Sequence, residues 1–437
     1  MKIAIIGCGY VFDHYMTTAA AHQDIEIAAI WDIDPARLDA AARYYRLTAA
    51  HSEAELLADP AIALVVNLTS IAAHADVTRN ALNAGKHVYC EKPLTTDLVS
   101  AQSLFDLAAE KGLMLVAAPC NLFSDSVQTM WHALNSGAIG RPLIAYAEFD
   151  DNPIYLMKPE EWRSRSGAPW PYIHEYEAGC TWEHVGYHLV WLCALFGPVE
   201  SVTAFSRVTV PHKTDLPLHP ADTPDFSVAC LAFKSGMTAR ITCSIAVPQN
   251  HALRIIGDEG ELSSDSYRQY QSPVLLERFT ALSLNARKSR SVRRSPLLGS
   301  LFGAGGKRLR LLEFPWSHAT RKGSAVAMSP MKRLVAAIKR REVGAQDKML
   351  GVVQTVSAIN NHSPPPVSPE FIMHITELTL AIQAAGTDGA AHKMTGDFPL
   401  MQPLAGALST AADWRITHAP GLLARRSEKY FDRLHKH

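Results

Sequence analysis

The regular alternation of short β-branched runs with amphipathic segments in the first 120 residues restricts the fold of this chain more than any other feature. Strands are predicted at 2–6, 25–31, 63–68, 87–90 and 113–117. Apolar residues recur every three or four positions, as in amphipathic helices, at 34–45, 72–84 and 96–111. Strands that alternate with helices in this way form βαβ units. The pattern predicts an α/β domain with a doubly wound parallel sheet over residues 1–120.

Beyond residue 121 the predicted strands become longer and follow one another directly. A helix is predicted at 126–136, and alternating strands are predicted at 144–149, 199–208, 226–233 and 237–246. The last two strands are joined by a short turn that contains Gly236, which indicates a hairpin. Further helices are predicted at 331–341 and 369–384, separated by the prolines at 364–366. We therefore expect a second α/β domain with a mostly antiparallel sheet over 121–400, followed by a tail at 401–437.

The length and composition fit a soluble, globular protein of two domains. The chain has 437 residues, 48% of them hydrophobic and 19% charged. No segment approaches the roughly 18 consecutive apolar residues of a membrane span, and the apolar run at the N-terminus is too short for a secretory signal. The seven cysteines are scattered without CxxC spacing, which predicts neither a disulfide framework nor a zinc ribbon and favours a cytoplasmic location.

The formal net charge of zero argues against a general nucleic-acid binder, but the charge is unevenly distributed. Residues 281–344 contain fifteen Lys and Arg against two acidic residues, a net charge of +13. We interpret the region at about 281–345 as a basic surface insertion, because clustered like charge is typical of a solvated segment. An alternative is contact with an anionic partner, such as a phosphorylated substrate, a nucleotide-sugar or a membrane surface.

A dinucleotide-binding turn is predicted directly after the first strand. Gly7 permits the tight turn and Gly9 lets the backbone approach a pyrophosphate at the N-terminus of the next helix. Phe12 stands where this fingerprint has a third small residue, so a simple strand–helix turn is the alternative. Asp32, at the end of the second strand, can accept hydrogen bonds from the adenosine ribose and repels a 2′-phosphate, which favours NAD(H) over NADP(H). Its alternative role is to cap the next helix, for which Asp34 is better placed.

Two segments of the first domain carry a family resemblance. The run VVNLTS at 65–70, then His74, and then AGKHVYCEKP at 84–93 resemble the Gfo/Idh/MocA oxidoreductases, in which such a strand, threonine, histidine and Glu-Lys-Pro tripeptide recur in this order. Further landmarks lie at 139–142, 186–188, 196–199 and 256–262. The resemblance covers roughly residues 1–270 and resumes around 369–383.

The resemblance implies an NAD(H)-dependent enzyme that oxidises or reduces a secondary alcohol of a sugar, cyclitol or nucleotide-sugar. It implies a Rossmann domain, a second domain with a large open sheet, and a homo-oligomer. Lys92 matches the family lysine beside the nicotinamide and the reacting hydroxyl, and we expect burial and the cationic ring to lower its pKa toward neutral. The expected cofactor-binding residues are Gly7, Gly9, Tyr10, Val11, Asp32, Thr69, Ser70, His74, Glu91 and Lys92.

On the substrate side the chain departs from the family pattern. The resemblance implies an aspartate four residues before a histidine, and here the two positions are His184 and His188. On a helix this spacing places both rings on one face. We assign His188 as a general acid–base or hydroxyl-binding residue and count His184 with it as catalytic; Glu175, Glu177 or Glu183 can supply the missing negative charge. No metal is predicted, because a third ligand is not evident.

Five aromatic residues precede His188 closely enough to line a sugar site or to fill a local core. They are Trp162, Trp170, Tyr172, Tyr176 and Trp182.

Two rival functions stay open within the resemblance. The first is a redox-neutral glycosidase or epimerase that oxidises a sugar transiently with a tightly held NAD. The second is a regulatory protein that binds dinucleotide as a signal, against which the retention of Lys92 and His188 argues.

Overall fold

A computed structural model of the chain describes residues 1–117, 120–266, 268–280, 282–284, 290, 292, 298–299, 302, 304–317, 330–331, 346–389, 391–408 and 426. Most of the predicted basic insertion at 281–345 and most of the predicted tail at 401–437 lie outside these residues. The helix predicted at 331–341 also lies outside them, apart from residue 331.

The first part of the chain forms a five-stranded parallel sheet with helices on both sides, as the alternating pattern predicts. Its strands are β1 (Lys2–Ile6), β2 (Glu26–Trp31), β3 (Leu64–Asn67), β4 (His87–Cys90) and β5 (Leu115–Ala117). The helices are α1 (Tyr10–Ala19), α2 (Pro35–Tyr45), α3 (Glu53–Ala58), α4 (Ile71–Asn83) and α5 (Leu98–Glu110). The side chain of Asp34 caps α2 by accepting hydrogen bonds from the backbone of Ala36 and Arg37.

The strand order places a ligand crevice between β1 and β3. The order is β2-β1-β3-β4-β5, so the direction of winding reverses at β1. In open parallel sheets, ligands bind outside the carboxyl ends of the strands at such a switch point. Gly7 follows β1, Asp32 follows β2 and Thr69 follows β3, so the sheet brings three predicted cofactor residues to this edge.

The second sheet has nine strands and is mostly antiparallel, as predicted. They are β6 (Pro142–Asp150), β7 (Val199–Arg207), β8 (Phe226–Phe233), β9 (Thr238–Ser244), β10 (Leu253–Gly257), β11 (Gly260–Ser264), β12 (Leu275–Arg278), β13 (Lys307–Arg308) and β14 (Ala391–Lys393). The order is β13-β12-β11-β10-β6-β9-β8-β7-β14, and within it only β6 and β9 pair in parallel. The sequence did not predict β10, β11 and β12, because each of these strands is too short to show a clear alternation of apolar and polar residues.

The helices of the second part are α6 (Asp125–Asn135), α7 (Tyr172–Cys180), α8 (Gly186–Phe196), α9 (Met349–Asn360) and α10 (Pro369–Gln383). A π-helical turn, Thr181–Val185, joins α7 to α8. Helix α8 is buried along almost its whole length between the β6 sheet and α10. A helix that is apolar all round has no amphipathic period, so α8 does not stand out in the sequence.

Helix α9 returns the chain to the first sheet. Met349, Val352 and Val356 pack in one buried cluster with Ile3 and Ile5 of β1. The first sheet is therefore completed by a helix more than 200 residues away in sequence, a contact that local periodicity cannot predict. This return also carries residues 347 and 348 to the boundary between the two sheets.

Gly7 is required by the backbone itself. Its φ angle is +99°, in the region that favours glycine, and a Cβ atom there would lie 2.6 Å from the carbonyl carbon of Leu68. At Gly9, φ is −72°, and the nearest heavy atom to a Cβ would be a side-chain nitrogen of Arg37 at 3.9 Å. The first glycine is therefore structural, whereas the space in front of the second is open.

We predict that Gly7→Ala lowers the free energy of unfolding by about 3 kcal/mol or more, because strain and a backbone clash act together. Gly9→Ala is the matched control and should cost about 1 kcal/mol or less, the ordinary loss at a helix N-cap. Urea unfolding of both variants measures the difference. Equal destabilisation would show that the turn does not depend on Gly7 in this way.

Candidate active site

The mouth of the β1–α1 turn can accept a pyrophosphate. Helix α1 begins at Tyr10, directly after Gly9, and the side chains of Tyr10 and Val11 are half-buried. Unpaired N–H groups at a helix N-terminus that faces open space favour an anion. Phe12, the atypical residue of the fingerprint, is fully buried and packs edge-on against Tyr45 of α2. A large side chain at this position is thus accommodated without closing the crevice.

The carboxylate of Asp32 lies at the ribose end of this crevice and organises the turn. Its Oδ2 accepts a hydrogen bond of 2.7 Å from the backbone of Cys8, and its Oδ1 accepts one of 2.8 Å from the backbone of Asp34. The Nε atom of Arg37 lies 3.4 Å from Oδ1. Asp32 therefore carries a negative charge at the predicted place, with a guanidinium beside it.

The second wall of the crevice follows β3. The Thr69 hydroxyl donates a hydrogen bond of 2.7 Å to the side chain of Asn67, and Ser70 is exposed at the start of α4. His74 is buried, with Nδ1 2.6 Å from the carbonyl oxygen of Pro93 and Nε2 3.2 Å from that of Thr69. Burial lowers the pKa of His74, and a neutral ring, which has one N–H, donates a hydrogen bond to one of these two carbonyl oxygens and packs against the other turn. His74 thus contacts both walls of the site from behind.

Glu91 is a buried carboxylate at the boundary between the two parts of the chain. Its Oε1 accepts hydrogen bonds from the Tyr15 hydroxyl at 2.9 Å and from Lys348 Nζ at 3.0 Å. Its Oε2 accepts one of 3.0 Å from the backbone of Lys92. Burial opposes ionisation, but the ammonium groups of Lys348 and Lys92 outweigh it and lower the pKa of Glu91 to about 2.

Lys92 forms an ion pair across the cleft. Its Nζ lies 2.8 Å from Glu183 Oε2 and 2.5 Å from the carbonyl oxygen of Glu183, and it also lies over the Tyr187 ring, 5.6 Å from the centroid. Burial lowers the pKa of Lys92, as the sequence argument expects, but the carboxylate of Glu183 outweighs burial and raises it. The expectation of a pKa near neutral is therefore wrong for this arrangement, and Lys92 is an ammonium.

The π-helical turn explains how Glu183 reaches Lys92. A π-turn accommodates about one more residue than an α-turn, and such insertions occur frequently at functional sites. One turn before His188, two residues consequently face the cleft. They are His184, four positions earlier, and Glu183, five positions earlier. The sequence left open which carboxylate supplies negative charge, and the contacts distinguish the candidates: Glu183 pairs with Lys92, whereas Glu177 accepts a hydrogen bond from the backbone of His219.

His184 and His188 share one face, as their spacing predicts, but their surroundings differ. Both rings contact Phe149 of β6, with centroid distances of 4.9 Å and 5.5 Å. His188 Nε2 donates a hydrogen bond of 3.0 Å to the carbonyl oxygen of Thr242, so this ring also anchors α8 to β9. Burial lowers the pKa of each histidine to about 3. Both rings are neutral at physiological pH.

Two carboxylates flank the buried ring of His184. Its Nε2 lies 3.2 Å from Glu175 Oε1 and 3.6 Å from Asp151 Oδ2. Asp151 also receives a hydrogen bond of 2.8 Å from Arg268, whose guanidinium lies over the rings of Phe149 and Tyr187. The predicted pair of histidines thus sits inside a larger polar cluster.

The aromatic residues mostly form a small core of their own. Trp162, Trp170 and Tyr172 pack around Tyr176, away from Lys92. Trp182 differs, because it lines an apolar cleft beside Lys92 and Pro93, together with residues of α8 and α10. Among the five, Trp182 is the one placed to contact a ligand beside Lys92.

Metal-binding clusters and membrane-spanning helices are both absent from the described part of the chain. No group of three or more His, Cys, Asp and Glu side chains there is arranged to hold a metal ion. Among the same residues, no helix is both long and apolar enough to cross a membrane.

The fold and the crevice together define a dinucleotide-binding oxidoreductase. The open space before Gly9, the helix N-terminus at Tyr10 and the carboxylate of Asp32 fit the pyrophosphate and ribose of NAD. Two family models match the chain: the oxidoreductase family with NAD-binding Rossmann fold over residues 1–118, and the Gfo/Idh/MocA C-terminal domain over residues 127–263. The chain belongs to the Gfo/Idh/MocA family.

Curated relatives share parts of the chain. An uncharacterised oxidoreductase of Schizosaccharomyces pombe is 32% identical over 211 residues, which are 47% of this chain and 54% of the relative. The inositol 2-dehydrogenase/D-chiro-inositol 3-dehydrogenase of Lactiplantibacillus plantarum is 25% identical over 287 residues, which are 64% of this chain and 76% of the relative. The chain therefore matches about half the length of the first relative and about three quarters of the second.

Solved structures share the whole architecture. The WlbA dehydrogenase from Bordetella pertussis, in complex with NADH and UDP-GlcNAcA, has a TM-score of 0.61 at 18% identity, over 90% of this chain and 97% of that chain. The UDP-N-acetylglucosamine 3-dehydrogenase from Acidithiobacillus ferrooxidans has a TM-score of 0.61 at 19% identity, over 89% of this chain and 98% of that chain. At these identities the likeness establishes the fold.

Three residues of the site, Asp151, Arg268 and Lys348, are absent from the set that the sequence predicts. Asp151 has a signal that could identify it, since two acids, Asp150 and Asp151, come together at the end of a strand. Arg268 and Lys348 had none, because each reaches the site only through tertiary structure: Arg268 from the connection after β11, and Lys348 from the start of α9.

We predict that Glu91 makes stability depend on pH in the acid range. Because its pKa is lower in the folded chain than in the unfolded chain, its contribution is present above pH of about 4.5 and is lost as pH falls toward 2. The shift corresponds to at most about 3 kcal/mol. Urea unfolding between pH 7 and 3 should show a shallower acid loss for Glu91→Gln than for the unaltered protein; parallel pH dependences would contradict this role.

Proposed function

We propose that the protein is an NAD(H)-dependent oxidoreductase that transfers hydride between the nicotinamide and a secondary alcohol carbon of a sugar, cyclitol or nucleotide-sugar. The observation that carries the proposal is the half-buried Lys92–Glu183 pair beside the dinucleotide crevice. Support for the substrate class comes from the relatives, which include inositol dehydrogenase and UDP-N-acetylglucosamine 3-dehydrogenase.

The cofactor preference follows from the ribose end of the crevice. Asp32 would accept hydrogen bonds from the ribose hydroxyls and repel a 2′-phosphate, which favours NAD(H) over NADP(H). Gly9, Tyr10 and Val11 would face the pyrophosphate, and Thr69 and Ser70 would line the opposite wall. His74 and Glu91 act from behind, since their polar atoms hold the turns that carry the contacts.

Lys92 is the group that binds the substrate oxygen. As an ammonium it donates a hydrogen bond to that oxygen and stabilises negative charge that develops there. When bound, the nicotinamide supplies the hydride acceptor and, in its oxidised form, a positive charge that lowers the pKa of a neighbouring lysine. Glu183 acts in the opposite direction and keeps the Lys92 side chain aimed across the cleft. His188 binds a second substrate hydroxyl or serves as an acid–base group in this proposal.

We predict that Lys92→Ala lowers kcat by roughly 10² to 10³-fold, the usual contribution of a group that stabilises developing negative charge, and leaves the Kd for NADH within about threefold. Lys111→Ala is the matched control, an exposed lysine of the same domain. The assay follows NADH formation from NAD⁺ with myo-inositol, D-chiro-inositol and UDP-N-acetylglucosamine, and fluorescence titration measures NADH binding. Full activity of Lys92→Ala would overturn the assignment.

Mass analysis of the purified protein separates the proposal from its rivals. A conventional dehydrogenase should bind added NAD(H) and release it between turnovers. Stoichiometric NAD retained through purification, with products formed and no net NADH, would instead indicate the redox-neutral reaction. Binding of NAD(H) without turnover of any alcohol in the panel would favour the regulatory role.

A further inference from the structure

Glu175 and His184 form a buried polar pair that the role of Lys92 does not use. Glu175 lies on α7 and His184 in the π-helical turn, and Glu175 Oε1 is 3.2 Å from His184 Nε2. Both side chains are more than nine-tenths buried. Among the described residues, neither Glu175 Oε1 nor His184 Nδ1 has a partner in good hydrogen-bond geometry. Buried polar atoms of this kind are normally satisfied, so each needs a functional explanation.

The local backbone is built to bring the two residues together. Nine positions along a straight helix would separate them by about 13 Å. Gly179 interrupts α7 with a φ angle of +84°, and a Cβ atom there would lie 2.7 Å from the carbonyl oxygen of Pro224. The chain turns at this glycine and continues as the π-helical turn. Glycine is therefore required at position 179, both for the kink and for the close approach to Pro224. This kink brings Glu175 and His184 together.

The charges around Glu175 come from four directions. Glu183 lies in the π-turn, Lys92 follows β4, Asp151 follows β6 and Arg268 follows β11, while His184 and Tyr176 are the titratable neighbours on its own segment. Burial and the charge of Glu183 raise the pKa of Glu175 well above its usual range, more than Lys92 and Arg268 lower it.

The other carboxylate beside His184 behaves differently. Asp151 is buried too, but Arg268 and its histidine neighbours hold the pKa of Asp151 below its usual range. Of the two acids that flank the ring, the surroundings of Asp151 therefore favour its ionised form, and those of Glu175 favour its protonated form. Neighbouring titratable groups whose surroundings push their pKa values apart are characteristic of acid–base sites.

We propose that Glu175 is the terminal group of a proton relay that reaches the substrate through His184. During reduction of a carbonyl group, the protonated carboxyl of Glu175 gives its proton to His184 Nε2, and the N–H at Nδ1 gives its proton to the substrate oxygen. During alcohol oxidation, Glu175 first releases its proton, and each transfer is then reversed. In oxidation one O–H bond breaks at the substrate and one forms at the ionised Glu175, so the imidazole is neutral before and after. The inference rests on the proposed function, and it assigns to His184 a proton-transfer role that Lys92 does not fill.

The relay explains why a histidine can stand where the family resemblance implies an aspartate. An aspartate would accept a proton directly, whereas the imidazole of His184, with its pKa lowered to about 3, cannot retain one. A neutral ring instead passes a proton from one nitrogen to the other, provided that a base lies behind it. Ionised Glu175 is that base in oxidation, and its protonated form is the donor in reduction; Asp151 stabilises the positive charge that develops on the ring during transfer.

The test compares Glu175→Gln with Glu177→Gln in the full-length protein. Glu177 is the matched control, on the same helix two positions later, where it contacts His174 and the backbone of His219 rather than the site. ¹³C NMR of glutamate-labelled protein should show one carboxyl group that titrates well above the ordinary value of about 4.3. This resonance should be absent from Glu175→Gln and present in Glu177→Gln. Thermal unfolding of both variants should match that of the unaltered protein.

The kinetic arm uses NAD⁺ and whichever alcohol of the panel the unaltered enzyme oxidises. The kcat of the unaltered enzyme for alcohol oxidation should rise with pH through the titration midpoint that NMR gives for Glu175, because Glu175 accepts a proton only when ionised. Glu175→Gln should lose this rise, with kcat lower by about 10²-fold. Glu175→Asp, which keeps a titrating carboxyl, should recover a pH-dependent rise.

An ordinary titration midpoint for Glu175 overturns the relay, as does a Glu175→Gln enzyme whose kcat and pH profile match those of the unaltered enzyme. Failure of the proposed function has a different signature, namely no oxidation of any panel alcohol by the unaltered protein.

Discussion

The buried carboxylate of Glu91 is the interaction on which the geometry of the site depends. It receives hydrogen bonds from helix α1 through Tyr15, from the backbone of the catalytic turn at Lys92, and from the returning segment before α9 through Lys348. A buried charge is costly unless it is fully paired, so removing any one of these partners affects the other two. Helix α1, the turn that carries Lys92 and the segment before α9 are thereby held in one arrangement by one side chain.

Each of the three cations of the site forms an ion pair with a different carboxylate. Lys92 pairs with Glu183, Lys348 with Glu91 and Arg268 with Asp151, and all three lie within 6 Å of the centroid of the Tyr187 ring. Buried ion pairs contribute little net stability, since desolvation offsets most of the attraction. This arrangement fixes the position of each cation, because a carboxylate partner determines where its side chain points. The consequence for Lys92 is a side chain that is aimed and charged before any ligand arrives.

The first domain could be predicted from sequence because each of its elements carries a local signal. The predicted strand and helix bounds agree with β1 to β5 and with α2, α4 and α5 to within two residues, and the glycine turn, Asp34 cap and Glu-Lys-Pro tripeptide are all local. Helix α3 is too short to show a period, and α8 is buried on every side. The partners of Glu91 and Asp151 could not be predicted, since Lys348 and Arg268 reach them only after the chain has crossed from one sheet to the other. Local patterns thus predicted the candidate residues, and tertiary structure determined their charge states.

The π-helical turn accounts for the largest departure from the family pattern. Had Thr181–Val185 been α-helical, the residue facing Lys92 one turn before His188 would have been His184 alone, and a neutral imidazole cannot balance an ammonium. The extra residue of a π-turn lets Glu183 take that place while His184 stays on the same face, against Phe149. One aspartate can both hold the lysine and exchange a proton with the substrate. Here these two functions are divided, because Glu183 holds Lys92 and His184 exchanges the proton. This division requires a second acid behind His184, which is the position that Glu175 occupies.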